Sequence, residues 1–194
     1  MKFSGKEMKR DDDNRTLYIG LDESNHGRWP EIIVSVSSLN KTDVNVSKID
    51  RRERMNEEEI TRFFNNQRRN WAYTKAERGQ LTKGKNPLVE AAPYLVDKLL
   101  STKREYASVD SIDLLFDGEL KFGDSDELVY RIRRMKRARR IIAMSYECYP
   151  KSTKGAYNYP RILVTADSLA HLLFRKHSFI EKIGADSRMI KLKR

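Results

Sequence analysis

The sequence has little cysteine and no long apolar run, and each shortage excludes a class of protein. Cys148 is the single cysteine, so an internal disulfide and a zinc site built on thiolates are both excluded. No apolar stretch approaches the roughly 20 residues of a membrane span, and residues 1–15 carry no apolar leader segment. We therefore expect a cytoplasmic protein with no membrane partner.

Charge is what the sequence has in excess, and the excess is positive. Charged residues make up 35% of the 194 residues, and the formal net charge is +11. A basic protein binds polyanions through the release of counterions, which favours RNA or DNA as the partner over a merely basic surface. The length suits one domain, for which we expect residues 16–180, between a mobile charged arm over 1–15 and a basic tail over 181–194.

The apolar pattern changes its period along the chain and predicts both strands and helices. The first predicted strand begins near Leu17. The others cover Ile32–Ser37, part of Asp43–Ile49, Ser111–Phe116 and Ile141–Tyr146. Predicted helices cover Asn56–Arg69, Pro87–Leu100, Asp124–Arg137 and a last segment that begins extended and turns helical at Ala166 to Ser168. Residues 56–86 are expected to form a basic helical insertion, with least order over 67–85. Three antiparallel strands followed by helix-separated parallel strands predict an α/β fold, a mixed sheet with helices packed against it.

Acidic residues stand where predicted strands end. Asp22 and Glu23 follow the apolar run of the first strand, Asp117 ends the fourth, and Asp167 lies at the expected start of the last helix. If the first and fourth strands are adjacent and parallel, their carboxyl ends lie about 5 Å apart on one edge of the sheet. The alternative is that each acid forms a turn or caps a helix.

Several carboxylates at one edge repel one another unless a cation holds them. Hard oxygen ligands at this density suit Mg²⁺ or Mn²⁺, which take phosphate oxygens as further ligands. A two-metal site of that kind hydrolyses phosphodiesters. The pattern therefore favours a metal-dependent nuclease.

The motifs resemble the ribonuclease-H-like superfamily. GLDESNHG, LLFDGEL and TADSLAHLLFR resemble most closely the uncharacterised domain-of-unknown-function family numbered thirty-eight hundred, and more distantly type 2 ribonuclease H. The resemblance implies a ribonuclease-H-like fold, metal ligation by Asp22, Asp117 and Asp167, and a ligand or supporting role for Glu23.

Four other side chains are weaker candidates for the same chemistry. His171 lies one helical turn beyond Asp167, where it could order a water or shuttle a proton, and we include it among the catalytic candidates. His26, Glu119 and Glu90 are better explained as surface or loop residues.

Basic residues cluster in RIRRMKRARR, which has seven basic residues in ten. Arginine binds phosphate through its planar fork, and exposed aromatic rings stack on unpaired bases. The predicted nucleic-acid contacts are Arg131, Arg133, Arg134, Lys136, Arg137, Arg68, Arg69 and Trp71. The alternative for the basic run is a solvated helix face. The alternative for the whole chain is a non-catalytic nucleic-acid-binding protein or a ribonucleoprotein assembly protein. A homodimer or another protein partner is left open.

Overall fold

The computed structural model describes residues 16–24, 29–49, 54–82, 85–121, 123–149, 157–175 and 184–192. The predicted arm over 1–15 and His26 lie outside them. The described strands are β1 (Thr16–Ser24), β2 (Glu31–Ser38), β3 (Val46–Ile49), β4 (Arg69–Ala76), β5 (Ser111–Asp117), β6 (Ala143–Tyr149), β7 (Tyr157–Pro160) and β8 (Met189–Ile190). The described helices are α1 (Glu57–Phe64), α2 (Pro87–Leu100), α3 (Asp124–Arg134) and α4 (Arg161–Arg175).

A six-stranded mixed sheet forms the centre of the fold, in the order β6-β5-β1-β2-β4-β8. β1, β2 and β4 pair antiparallel, whereas β5 pairs parallel to both β1 and β6. Helices α2 and α3 cover one face, and α1 and α4 cover the other. The predicted α/β class, with a mixed sheet and helices packed against it, is confirmed.

The alternation of side chains along β1 separates these two faces. Leu17, Ile19 and Leu21 are fully buried in the core under α2. Gly20 points the other way, where a Cβ would lie 3.1 Å from the carbonyl oxygen of Ile162. Helix α4 therefore approaches β1 closely at Gly20, where a side chain would be crowded by the helix backbone.

The predicted strand within Asp43–Ile49 is present as β3, but its place in the central sheet is wrong, because the third antiparallel strand of that sheet is β4. β3 instead pairs with β7 in a separate two-stranded sheet. The basic helical insertion expected over 56–86 is also wrong beyond α1, because residues 69–76 form β4 inside the sheet. Trp71 and Tyr73 supply the reason, since both rings are buried in the core beside α4.

Helix α4 begins at Arg161, earlier than the predicted turn from strand to helix at Ala166. Ile162, Ala166 and Leu169 recur at helical spacing and are fully buried against the sheet. Asp167 is therefore the seventh residue of the helix rather than its start.

Element boundaries elsewhere also differ from the prediction: β6 covers Ala143–Tyr149 rather than Ile141–Tyr146, and α1 ends at Phe64 rather than Arg69. Helix α3 ends at Arg134 rather than Arg137, since Met135 adopts extended backbone. Within the expected basic tail, Met189–Ile190 forms β8 and pairs with β4. In the described part of the chain, no helix combines the length and the apolar character that a membrane crossing requires.

Candidate functional site: a carboxylate edge

The parallel pairing of β1 with β5 brings Asp22 and Asp117 to one edge of the sheet. Leu21 is paired with Phe116, and the next residue of each strand is the aspartate. Leu21 and Phe116 both face the core under α2. Because neighbouring side chains alternate between faces, Asp22 and Asp117 both turn toward the α4 face.

Helix α4 brings Asp167 to the same place. The helix contacts β1 where Ile162 meets Gly20. Five residues along a helix advance about 7.5 Å, and two residues along a strand advance about 6.6 Å. The charge of Asp167 acts on the Asp22 carboxyl, so over this stretch α4 follows β1 and carries Asp167 level with Asp22. We call the group Asp22, Asp117 and Asp167 the carboxylate edge.

The electrostatics of Asp22 report this proximity. Its side chain is 3% exposed. Burial raises the pKa of the Asp22 carboxyl well above its ordinary value, and the negative charges of Asp117 and then Asp167 raise it further, with a smaller contribution from Glu23. The structure thus brings the three aspartates together as the sequence predicts, whereas their metal-binding and catalytic roles stay predictions.

The donor chemistry of the carboxylate edge fits a hard divalent cation such as Mg²⁺ or Mn²⁺. A buried carboxylate opposed by like charges is stabilised in its ionised form by a nearby cation. The carboxylate oxygens do not point to one common position: among the described residues, no three His, Cys, Asp or Glu side chains are arranged to hold a metal ion. Metal binding would therefore require these side chains to reorient.

Arg54 contacts the carboxylate edge from outside the sheet. Its Nε donates to Oδ2 of Asp167 over 3.0 Å, and its Nη1 lies 3.0 Å from Nδ1 of His171. Because a guanidinium can only donate, Nδ1 of His171 accepts and carries no proton. Burial, and then the charges of Arg54 and Arg175, lower the pKa of His171. Sequence reasoning missed Arg54, which lies in a charged segment without periodicity.

Glu23 lies on the opposite face of the sheet from Asp22. It borders a cavity of about 470 Å³, next to Asp117 and to the loop that contains Glu119. Further lining residues are Asn86, Leu88, Phe116 and Leu120. The cavity therefore opens beside the carboxylate edge, and Glu119 belongs to this cavity rather than to the α4 face.

Glu90 lies on α2, on the sheet face opposite α4. One of its carboxylate oxygens accepts a hydrogen bond from the backbone N–H of Thr82 over 2.7 Å. The structure does not bring Glu90 to the carboxylate edge.

Burial leaves two predicted nucleic-acid contacts little access to a ligand. Arg69 is 14% exposed and holds the carboxylate of Asp43, with Nε–Oδ2 at 2.7 Å and Nη2–Oδ1 at 2.8 Å. Trp71 is 3% exposed and stacks on Tyr73 inside the core. Arg68 remains exposed, with Nη1 at 3.5 Å from Oδ1 of Asn40.

The basic run leads away from the carboxylate edge along α3. Lys85 pairs with Glu127 near the start of α2, whereas Arg137 pairs with Asp97 over 2.7 Å near its end, so the two helices run side by side. The backbone N–H of Ile142 then donates to the residue just before β5. The end of the run therefore lies at the opposite end of β5 from Asp117.

The basic candidates differ in what they contact. Arg131 is half-buried beside Glu127, and Arg137 is engaged by Asp97. Arg133, Arg134 and Lys136 are exposed. Tyr130 was not predicted from the sequence; its side chain is 61% exposed, and its hydroxyl accepts from Nη1 of Arg134 over 2.9 Å.

Comparison with known proteins finds similar structures but no similar sequences. No family model matches the chain, and no curated protein matches it. RNase H1 from Halobacterium salinarum NRC-1 is 13% identical with a TM-score of 0.41, and the match covers 82% of this chain and 97% of that one. A chain of the PCNA:RNase HII complex from Archaeoglobus fulgidus is 14% identical with a TM-score of 0.41, over 86% of this chain and 77% of that one. At these identities the likeness is one of fold alone.

Proposed function

We propose that this protein is a metal-dependent nuclease that hydrolyses phosphodiester bonds of RNA or DNA. The observation that carries the proposal is the gathering of Asp22 and Asp117 at the ends of paired parallel strands, where burial and then the charges of Asp117 and Asp167 raise the pKa of Asp22. Like charges gathered by two strands and a helix are costly to the fold, and a buried carboxyl with a perturbed pKa beside other acids is typical of catalytic sites. The resemblance of the DES and AD motifs to ribonuclease-H-like proteins supports the same function.

Asp22, Asp117 and Asp167 would hold Mg²⁺ or Mn²⁺. When bound, such ions supply an activated water and neutralise charge on the leaving oxygen. His171 carries its proton on Nε2, since its Nδ1 accepts from Arg54, and this N–H can donate a hydrogen bond to a water or oxygen beside α4. Glu23 and Glu119 line the adjoining cavity. Their negative charges would repel phosphate there and so keep the nucleic-acid backbone on the side of the carboxylate edge.

The exposed basic residues at the end of α3 and just beyond it would bind the nucleic acid away from the reacting bond. Arg133, Arg134 and Lys136 offer donors for phosphates. Tyr130 adds an exposed ring supported by Arg134, which suits stacking on an unpaired base. Arg68 lies elsewhere, beyond the end of α1, and would add a single phosphate contact.

Cleavage of labelled single-stranded, duplex and hybrid RNA and DNA in Mg²⁺ or Mn²⁺ tests the proposal. We expect metal-dependent cutting by the wild type, and losses of at least about 10²-fold in Asp22→Asn and Asp117→Asn because each removes a ligand charge. Asp126→Asn is the matched control, since it removes one negative charge from an exposed position of α3. Cutting that survives both site substitutions would contradict the proposal.

A non-catalytic nucleic-acid-binding protein is the second candidate. Arg54 favours it, because an internal cation already contacts Asp167. Its signature would be binding without cutting, unchanged by Asp22→Asn and weakened by Arg134→Ala.

A further inference from the structure

Arg54 places a positive charge on one of the three acids of the carboxylate edge. Its Nε lies 3.0 Å from Oδ2 of Asp167, and its Nη2 lies 3.5 Å from Oδ1. A planar guanidinium that reaches both oxygens satisfies a carboxylate through two donors and a full charge. Asp167 is therefore already provided with a cation by the chain itself.

The residues after Arg54 anchor it to α4. The backbone N–H of Met55 donates to Oγ of Ser168 over 2.9 Å, and the hydroxyl of Thr165 lies 3.3 Å from Sδ of Met55. Asn56 then caps α1 through a reciprocal pair of hydrogen bonds with Glu59. The position of Arg54 is thus determined by contacts that do not involve its own charge.

The ion pair contributes little to the fold. The side chains of Arg54 and Asp167 are 48% and 28% exposed, and pairs in contact with water add little to stability. Helices α1 and α4 are joined instead by buried apolar side chains, among them Ile60 and Leu169. An arginine directed at a member of an acidic cluster, without a structural need for it, calls for a role in the cluster's electrostatics.

We propose that Arg54 is an internal counter-cation that competes with the divalent ion for Asp167 and so sets the metal affinity of the carboxylate edge. The inference rests on the metal site of the proposed function. A metal ion that binds Asp167 must either displace the guanidinium or share the carboxylate with it, and two cations on one carboxylate repel each other. The site is therefore empty at low metal concentration and fills only above a threshold that Arg54 raises.

Mn²⁺ binding to the full chain, followed by the electron paramagnetic resonance signal of free Mn²⁺, tests this inference without an activity assay. We expect Arg54→Gln and Arg54→Met to bind Mn²⁺ roughly tenfold more tightly than the wild type, since each removes the competing charge. Arg54→Lys keeps the charge and should stay near the wild type. Arg62→Gln is the matched control, because Arg62 is an exposed arginine of the adjacent helix with its own partner, Glu58.

Three results distinguish the inference from the proposed function. Tighter binding in both neutral Arg54 variants, together with weaker binding in Asp167→Asn, supports the inference. Binding that Asp167→Asn weakens but neither neutral variant tightens overturns the competition and leaves the metal site standing. Absence of any Mn²⁺ binding that depends on Asp167 overturns both. Circular dichroism of each variant checks that the fold is retained.

Discussion

The ion pair between Asp43 and Arg69 gives the sharpest prediction for stability. The Asp43 side chain is 2% exposed, and its two oxygens accept from Nε and Nη2 of Arg69 at 2.7 and 2.8 Å. The hydroxyl of Ser38 also donates to Oδ2 over 2.6 Å. On the other side, the guanidinium lies 4.2 Å from the centre of the Phe63 ring.

Substitution Asp43→Ala leaves that guanidinium largely buried without its counter-charge. Removal of one partner of a buried pair costs about 3–5 kcal/mol. With an unfolding entropy of about 2.1 cal/mol/K per residue over 194 residues, this loss lowers the melting temperature by about 7–12 °C. Thermal and urea denaturation of the same samples measure both quantities.

The exposed pair of Arg62 with Glu58 provides the control. Its side chains are 72% and 81% exposed, so Arg62→Ala should cost less than about 1 kcal/mol. If Asp43→Ala also costs less than about 1 kcal/mol, the reasoning is refuted. Unchanged stability with higher nucleic-acid affinity would also refute it and would return Arg69 to the surface role that the sequence favoured.

Four further outcomes follow from single contacts. Gly20→Val should cost about 1–3 kcal/mol in urea denaturation, because its side chain meets α4; no loss would contradict the close crossing. Asp22→Asn should raise the melting temperature at pH 7 without divalent ions: the folded-state pKa is raised, so stability falls as pH rises from the ordinary aspartate pKa toward the raised value, and asparagine removes this fall. An equal or lower melting temperature would count against the crowding. Arg54→Gln should raise the pKa of His171 in an NMR titration, and an unchanged value would refute their contact. Asn56→Ala should lower the free energy of unfolding by about 1 kcal/mol, because α1 loses its cap. An unchanged free energy of unfolding would show that the capping box is absent in solution.

The parts of the fold that local pattern determines were predictable. β1 and β5 are apolar runs that end on acids, and parallel pairing then places Asp22 beside Asp117. Asn56 precedes three glutamates, which is typical of a helix start, and it does cap α1.

The errors arise where a distant residue changes the meaning of a local one. β4 reads as a basic loop because Arg69 opens it, and its counter-charge, Asp43, lies 26 residues earlier. Ile162 and Val164 favour a strand by their β-branching, yet the sheet beneath α4 selects a helix. No local pattern marks Arg54, since its partner Asp167 lies 113 residues away.

Asp117 and the end of the basic run lie at opposite ends of β5. Their separation sets a minimum length for any nucleic acid that contacts both the carboxylate edge and the end of the basic run. Asp117 ends β5, and the basic run ends beside its first residues, so the two are separated by the seven residues of that strand. At about 3.3 Å per residue this is about 23 Å, or about seven base pairs at 3.4 Å each. Oligonucleotides shorter than this can contact either the carboxylate edge or the end of the basic run, but not both. The binding affinity should therefore rise in a step as the oligonucleotide reaches that length.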